Sequence, residues 1–147
     1  MWLHNIVTYL HLLSIIGLFV VLFVEALLIK RKMTKVGVVL MGKVDAFYGL
    51  LSVAVLITGT LRLLYFGKGL DYYFCNSLFY IKLGLFLLIG LLSIYPSVIF
   101  FKLKKCTEDT LVLTNYIILR NLIYTEIILL LCIPFLAVLL ANGYNFF

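Results

Sequence analysis

The chain has 147 residues, of which 65 % are hydrophobic and only 12 % charged, and its net charge is +6. A soluble domain is about 45–50 % apolar and about 25 % charged, so this composition excludes a soluble enzyme. It also excludes intrinsic disorder, which goes with few aliphatic and aromatic residues. The apolar runs are continuous rather than alternating, which disfavours a transmembrane β-barrel. The composition therefore predicts a bundle of membrane helices.

Four segments are long and apolar enough to span a bilayer, for which roughly 20 mostly apolar residues are needed. They cover about residues 3–29, 44–66, 78–101 and 115–141. The connections between them are too short to hold a soluble domain, and short connections make sequential helices pack antiparallel. The sequence therefore predicts a single transmembrane domain over residues 1–147, with an all-α, up-down-up-down four-helix fold.

Basic residues are concentrated in two of the three connections. Residues 30–43 and 102–114 together hold eight Lys and Arg, whereas residues 67–77 hold only Lys68. Since loops rich in Lys and Arg stay in the cytoplasm, we expect the first two connections there, and both termini outside a bacterial inner (plasma) membrane. The basic rim suits contact with anionic lipids of the bilayer, and no soluble basic surface is left for a nucleic-acid partner.

Six charged side chains lie within the predicted spans, and His11 lies on the inward-facing side of the first span. A charge there costs about 2.5–3.5 kcal/mol on insertion scales, so it usually faces the bundle interior. Helical spacing sorts these residues into two layers at different depths. The outer layer, towards the outside, contains His11, Arg62 and Lys82. The inner layer, towards the cytoplasm, contains Glu25, Asp45, Arg120 and Glu126.

The inner layer has charges of both signs, which is typical of structural ion pairing. Arg120 and Glu126 are six residues apart, or about 240° of helical rotation, so they cannot both face inward. We expect Glu126 to face the interior. Arg120 is expected either to snorkel to the membrane surface or to pair with Glu25 or Asp45. A proton or ion path through this layer is the alternative.

The outer layer combines one imidazole with two cations. A haem in a helical bundle needs an imidazole on its iron and cations for its propionates, and His11, Arg62 and Lys82 offer these groups at one depth. His11 is thus a candidate metal ligand in a candidate haem b site. His4 lies on the same helix, so we expect five-coordinate iron or a Met, Lys or second-subunit ligand. The alternatives are a structural, hydrogen-bonded histidine and cations that snorkel to lipid headgroups.

A series of short motifs runs through residues 45–101. It reads Asp45-Ala46-x-Tyr48-Gly49, Gly59-x-x-Arg62, Tyr65-Phe66-Gly67-Lys68-Gly69, Tyr72-Tyr73, Asn76, Phe79-x-x-Lys82-Leu83 and Ser93-Ile94-Tyr95-Pro96. Together with Tyr9-Leu10-His11 and Glu25 in the first span, this series resembles a family of small bacterial four-helix membrane proteins of unknown function. The resemblance covers most of the chain and implies the four-helix fold, but no reaction.

A weaker resemblance concerns His11 and residues 79–85, which read Phe-Tyr-Ile-Lys-Leu-Gly-Leu. They look like the first-helix histidine and the x-Lys-Leu-x-Leu helix of HemJ-type protoporphyrinogen oxidases, and membrane domains of the copper-resistance D type share this general look. HemJ-type proteins bind haem b and oxidise protoporphyrinogen. The resemblance implies that His11 is a haem ligand and that Lys82 is a propionate or substrate partner.

Three functional hypotheses follow. The leading one is a small membrane protein that binds haem or a porphyrin and has a redox role. The second is a non-enzymatic accessory subunit of a larger membrane complex, and the third is a small proton-coupled transporter. A homodimer is compatible with each of them, and the sequence leaves open whether the protein is an enzyme.

Overall fold

The computed structural model describes residues 2–66, 69–106 and 108–145. Lys68, the basic residue expected in the connection between the second and third spans, lies outside the described residues. So does Gly67 of the neighbouring motif.

The described chain is built mainly from helices, in the order α1 (Trp2–Leu28), α2 (Lys35–Leu61), the short α3 (Leu70–Phe74), α4 (Ser77–Leu103) and α5 (Tyr116–Ala141). A π-helical turn over Arg62–Phe66 continues α2. The four long helices, with α2 counted through its π-helical turn, are each long and apolar enough to cross a membrane. This confirms the predicted all-α membrane bundle of four helices.

The four long helices pack in a ring. Helix α1 contacts α2 and α5, and α4 contacts the same two helices from the other side. Each long helix therefore lies between two neighbours. Side chains from all four long helices fill the interior. Among the most deeply buried are Leu18, Leu22, Met41, Ile89 and Leu119. This packed interior is where any polar side chain needs a partner.

One end of the bundle is closed by a small antiparallel ribbon. Strand β1 (Lys32–Thr34) pairs with β2 (Thr110–Val112), and Met33 faces Leu111 in the register. The backbone N–H of Leu113 extends the ribbon by donating to the Arg31 carbonyl at 2.9 Å. Met33, Leu111 and Leu113 are buried against the helices. The first and third connections, expected to be loops, thus pair with each other in one ribbon. We call this end of the bundle the ribbon end.

Helix α2 begins at Lys35 rather than near residue 44, because the end of β1 supplies its cap. The Thr34 hydroxyl accepts a hydrogen bond from the Gly37 N–H at 3.2 Å, which satisfies one of the free donors of the first turn. Much of the expected first connection is therefore helix. Lys30 and Arg31 of this stretch precede β1, Lys32 lies on β1, and Lys35 and Lys43 lie on α2.

The opposite end of the bundle, called the α3 end, is tied together by the segment that follows α5. Asn76 caps α4 by accepting from the Leu78 N–H at 2.9 Å, and its own amide donates to the Tyr144 carbonyl at 2.8 Å. The Tyr72 hydroxyl of α3 donates to the Leu140 carbonyl near the end of α5. These bonds fix α3 over the space between the helices.

The ribbon predicts that substitutions at two adjacent residues change the stability of the protein by very different amounts. Leu111 is 7 % exposed and Val112 is 58 % exposed, because successive strand residues point to opposite faces. Leu111→Ala should destabilise the protein by about 2–5 kcal/mol through the cavity it leaves. Val112→Ala should change stability by less than about 0.5 kcal/mol. Thermal unfolding in a mild detergent measures both, and equal effects of the two variants would contradict the ribbon.

Candidate functional site

A cavity of about 460 Å³ lies between the helices in the half of the bundle next to α3. All five helices contribute to its wall. Most of the wall is apolar, with residues such as Ile15, Val55, Phe86 and Ile133. Its volume falls within the roughly 300–1,000 Å³ that is typical of sites for organic ligands and cofactors.

The structure brings the three residues of the predicted outer layer together at this cavity. His11 from α1, Arg62 from the end of α2 and Lys82 from α4 all line it. Lys82 and Arg62 are close enough to His11, and to one another, for unfavourable electrostatic contact. His11 is only 5 % exposed, so its imidazole belongs to the interior and not to the membrane surface.

Arg62 reaches the cavity through the π-helical turn. The turn begins at Arg62, whose backbone N–H still bonds to the carbonyls of Thr58 and Gly59. Three residues of the turn, Arg62, Leu63 and Phe66, then line the cavity. Such turns widen the helical repeat and recur at functional sites.

A hydrogen-bond chain sets the protonation of the His11 ring. The Thr58 hydroxyl donates its one proton to the Ala54 carbonyl at 2.6 Å. His11 Nδ1 lies 2.9 Å from the same hydroxyl oxygen, and with the Thr58 proton engaged at Ala54 this oxygen can accept from Nδ1. The Val55 carbonyl, which can only accept, is the second partner of this ring. When Nδ1 donates to Thr58, a neutral imidazole keeps the lone pair of Nε2 for a ligand.

Gly59 leaves the space that this ring occupies. A Cβ atom at residue 59 would lie 3.3 Å from His11 Cε1, which is closer than most side-chain contacts. The absence of a side chain there lets α1 and α2 approach closely enough for the hydrogen bond between His11 and Thr58. The Gly59-x-x-Arg62 motif thus places the imidazole and the guanidinium in one site.

The cavity has one sign of charge. Arg62 and Lys82 are the charged side chains among the described residues that line it, and no described lining residue is a carboxylate. His4 lies at the rim, 5.9 Å from the Phe66 ring between centroids, and is exposed. An apolar cavity with two cations and a free imidazole nitrogen can bind an apolar molecule that carries negative groups.

The inner-layer residues lie in the other half of the bundle, and three of the four lie near one another. Glu25 from α1, Asp45 from α2 and Glu126 from α5 are near enough to interact electrostatically. Arg120 does not join them. It is exposed, and its guanidinium lies 5.6 Å from the centre of the Tyr116 ring.

The expected ion pairing of the inner layer is therefore not present in the described part of the chain. Among the described residues, Glu25 Oε1 and Glu126 Oε1 are buried and have no hydrogen-bond partner. The outward position of Arg120 agrees with the snorkelling alternative, and six residues of helix turn it away from the side that Glu126 faces.

Three partner residues were not expected from the sequence. Thr58 is hydrogen-bonded to His11, Ser97 donates to Asp45 Oδ1 at 2.7 Å, and the Tyr48 hydroxyl contacts the Glu126 carboxyl. Thr58 could have been found, because it lies four residues before Arg62 and thus on the same helix face. Ser97 gives no such signal, because no predicted site residue lies within a helical turn of it on α4.

No group of three or more His, Cys, Asp or Glu side chains in the described residues is arranged to hold a metal ion. His11 therefore offers a single protein ligand. That arrangement suits a metal held mainly by its own organic ring better than a bare ion.

Comparison with known proteins identifies a family. Residues 3–145 match the family described as "Predicted membrane protein (DUF2214)". This confirms the resemblance to a family of membrane proteins without an assigned function. No curated protein and no solved structure matches the chain. The resemblance to HemJ-type and copper-resistance D type proteins stays a prediction.

The His11 tautomer is directly testable. Thr58→Val keeps the shape of the side chain but removes the oxygen that accepts from Nδ1. In ¹⁵N NMR spectra of the histidine-labelled protein, we expect wild-type His11 to show a protonated Nδ1 and an unprotonated Nε2. Thr58→Val should shift both ring-nitrogen signals, whereas the neighbouring Thr60→Val should leave them in place. A wild-type ring protonated on Nε2 would contradict the hydrogen-bond chain.

Proposed function

The chain belongs to the DUF2214 family of predicted membrane proteins, and we propose that it is a membrane-embedded haem b protein with a redox role. The observation that carries the proposal is the placement of His11: a buried imidazole, with Nδ1 hydrogen-bonded to Thr58, beside an apolar cavity. Metal-ligating histidines almost always donate their other ring N–H to an acceptor, which fixes the ring and makes the ligand nitrogen more basic.

The cavity provides for the rest of a haem as well as for its iron. Apolar side chains such as Ile15, Phe86 and Ile133 suit the faces of a porphyrin ring. Arg62 and Lys82 suit its two propionates, because bonds between a cation and a carboxylate are about twice as strong as neutral ones. A cavity without a described carboxylate also avoids repulsion of the propionates.

In this proposal the protein supplies binding and orientation. His11 holds the iron, Thr58 and Gly59 hold the His11 ring, and the two cations hold the acidic edge. Haem bound in this way supplies one-electron redox chemistry. His4 is exposed at the rim, so the buried His11 is the histidine that would hold the iron.

We also propose that the ribbon end faces the cytoplasm of a bacterium and that the haem site lies in the outer half of the inner membrane. The ribbon end carries the basic residues of both connections, including Lys32, Lys35, Lys104 and Lys105. Connections rich in Lys and Arg are retained in the cytoplasm.

An absorption spectrum tests the haem proposal. The protein purified after expression with ample haem should show a Soret band. His11→Ala should lose that band, because it removes the iron ligand. Arg62→Gln and Lys82→Gln should each weaken haem binding roughly ten- to a hundredfold, since a hydrogen bond to a charged group contributes about 1.5–3 kcal/mol.

His4→Ala is the matched control, since it removes the other histidine of the chain and should keep the band. A wild-type protein without a Soret band, or a His11→Ala protein with the full band, would show that the cavity does not bind haem through His11.

Two native cysteines test the orientation. Cys75 lies at the α3 end and Cys106 follows α4 at the ribbon end, and both are exposed. In spheroplasts, and with Cys132 replaced by Ser in every variant, a membrane-impermeant maleimide should label the Cys106→Ser variant, which keeps Cys75. The Cys75→Ser variant, which keeps Cys106, should be labelled only after the membrane is opened. The reverse pattern would invert the proposed orientation.

A further inference from the structure

A second polar site lies in the half of the bundle near the ribbon. It consists of Glu25, Asp45, Tyr48 and Glu126, and is called the carboxyl cluster below. Glu25 interacts electrostatically with Asp45 and Glu126, and the Tyr48 hydroxyl contacts the Glu126 carboxyl. The residues come from α1, α2 and α5, so the bundle brings together acidic groups that are far apart in the sequence.

Two carboxyl groups of the cluster are buried, and in the described residues each has one oxygen without a hydrogen-bond partner. Glu25 is 2 % exposed and Glu126 is 1 % exposed. A buried, unpaired polar oxygen is costly, so it signals a ligand that the side chains themselves do not supply.

No described cation enters the cluster. Arg120, which is on the same helix as Glu126, is exposed and lies over Tyr116. Lys102, Lys104 and Lys105 approach only from the side of Asp45, where they line a groove between α2 and α4. Ser97 is the polar group that α4 directs at Asp45.

The group that neutralises these buried carboxyls must therefore be positive and small. Ionised carboxylates that are buried and unpaired cost far more than neutral ones, and a proton is the ligand that removes the charge without needing space. The described carboxyls are not arranged as a ligand group for a metal ion. A proton on each buried glutamate converts its carboxylate into a carboxylic acid that can also donate a hydrogen bond.

We propose that Glu25 and Glu126 form a proton-binding site and that protons reach it from the ribbon end through Asp45. Asp45 is half-buried and lines the groove between α2 and α4, whose volume is about 540 Å³. The Ser97 hydroxyl holds one Asp45 oxygen at 2.7 Å. Asp45 thus lines the groove on one side and lies within electrostatic range of the buried glutamates on the other, which is the position of a proton relay.

The site is separated from the cavity at the α3 end. On each long helix, the cavity residue nearest the ribbon end is apolar: Leu18, Val55, Phe86 and Leu130. Leu18 and Leu130 are almost completely buried. Because this apolar layer excludes water, protons at Glu25 and Glu126 exchange with the ribbon end and not with the cavity. The proton site is thus independent of the proposed haem site.

Infrared spectroscopy of the full-length protein in lipid nanodiscs tests the proposal. At pH 7 we expect the carbonyl-stretch band of buried, protonated carboxylic acids. The band should lose about half its intensity in Glu25→Gln and in Glu126→Gln, and it should disappear in the double variant. Glutamine resembles the neutral acid in size and polarity, so these variants should keep the fold. Asp71→Asn is the matched control, because Asp71 is exposed on α3 and should not contribute.

The relay role of Asp45 is tested by transfer into D₂O. Deuterium exchange shifts the carboxylic-acid band, and Asp45→Asn should slow that shift severalfold while the band itself remains. An unchanged exchange rate would overturn the route through Asp45. A wild-type protein without the band, or with a band that appears only after Na⁺ and K⁺ are replaced by a large organic cation, would overturn the proton site.

Discussion

The cost of burying charge in a medium that cannot solvate it is the constraint on which the rest of this structure depends. Such a charge is tolerated when another group neutralises it, and ion pairs are the usual solution. This bundle does not use that solution in its described interior. It collects Arg62 and Lys82 at one depth and three carboxyl groups at another, with an apolar layer between them.

Because the positive and negative side chains are separated, each half of the bundle suits a different binding partner. The cationic cavity needs an anion, and its apolar walls restrict that anion to one with a large apolar body. In the carboxyl cluster the two glutamates are 2 % and 1 % exposed, and the partner proposed for them is a proton. The two proposals therefore rest on the same physical argument, applied to opposite charges.

The fold holds this arrangement through its two ends. At the ribbon end, the pairing of β1 with β2 joins two connections that would otherwise move separately, and Met33 and Leu111 seal the interior. At the α3 end, Tyr72 and Asn76 bind the segment near the end of α5 and hold α3 against the cavity. Between them, Gly59 allows α1 and α2 to approach so that Thr58 can fix the His11 ring.

The sequence by itself determined the four spans and the depth of each polar residue, since apolar length and helical rise depend only on positions along the chain. It also grouped His11, Arg62 and Lys82, because all three lie at one depth and on inward-facing positions of their helices. The sequence could not determine which neighbour each residue would meet.

That choice depends on the order of the helices around the ring and on the rotation of each about its own axis, which are set by the packing of all the side chains together. Only the tertiary structure therefore placed Arg120 outside while Glu126 faced in, joined Ser97 to Asp45, and hydrogen-bonded His11 to Thr58.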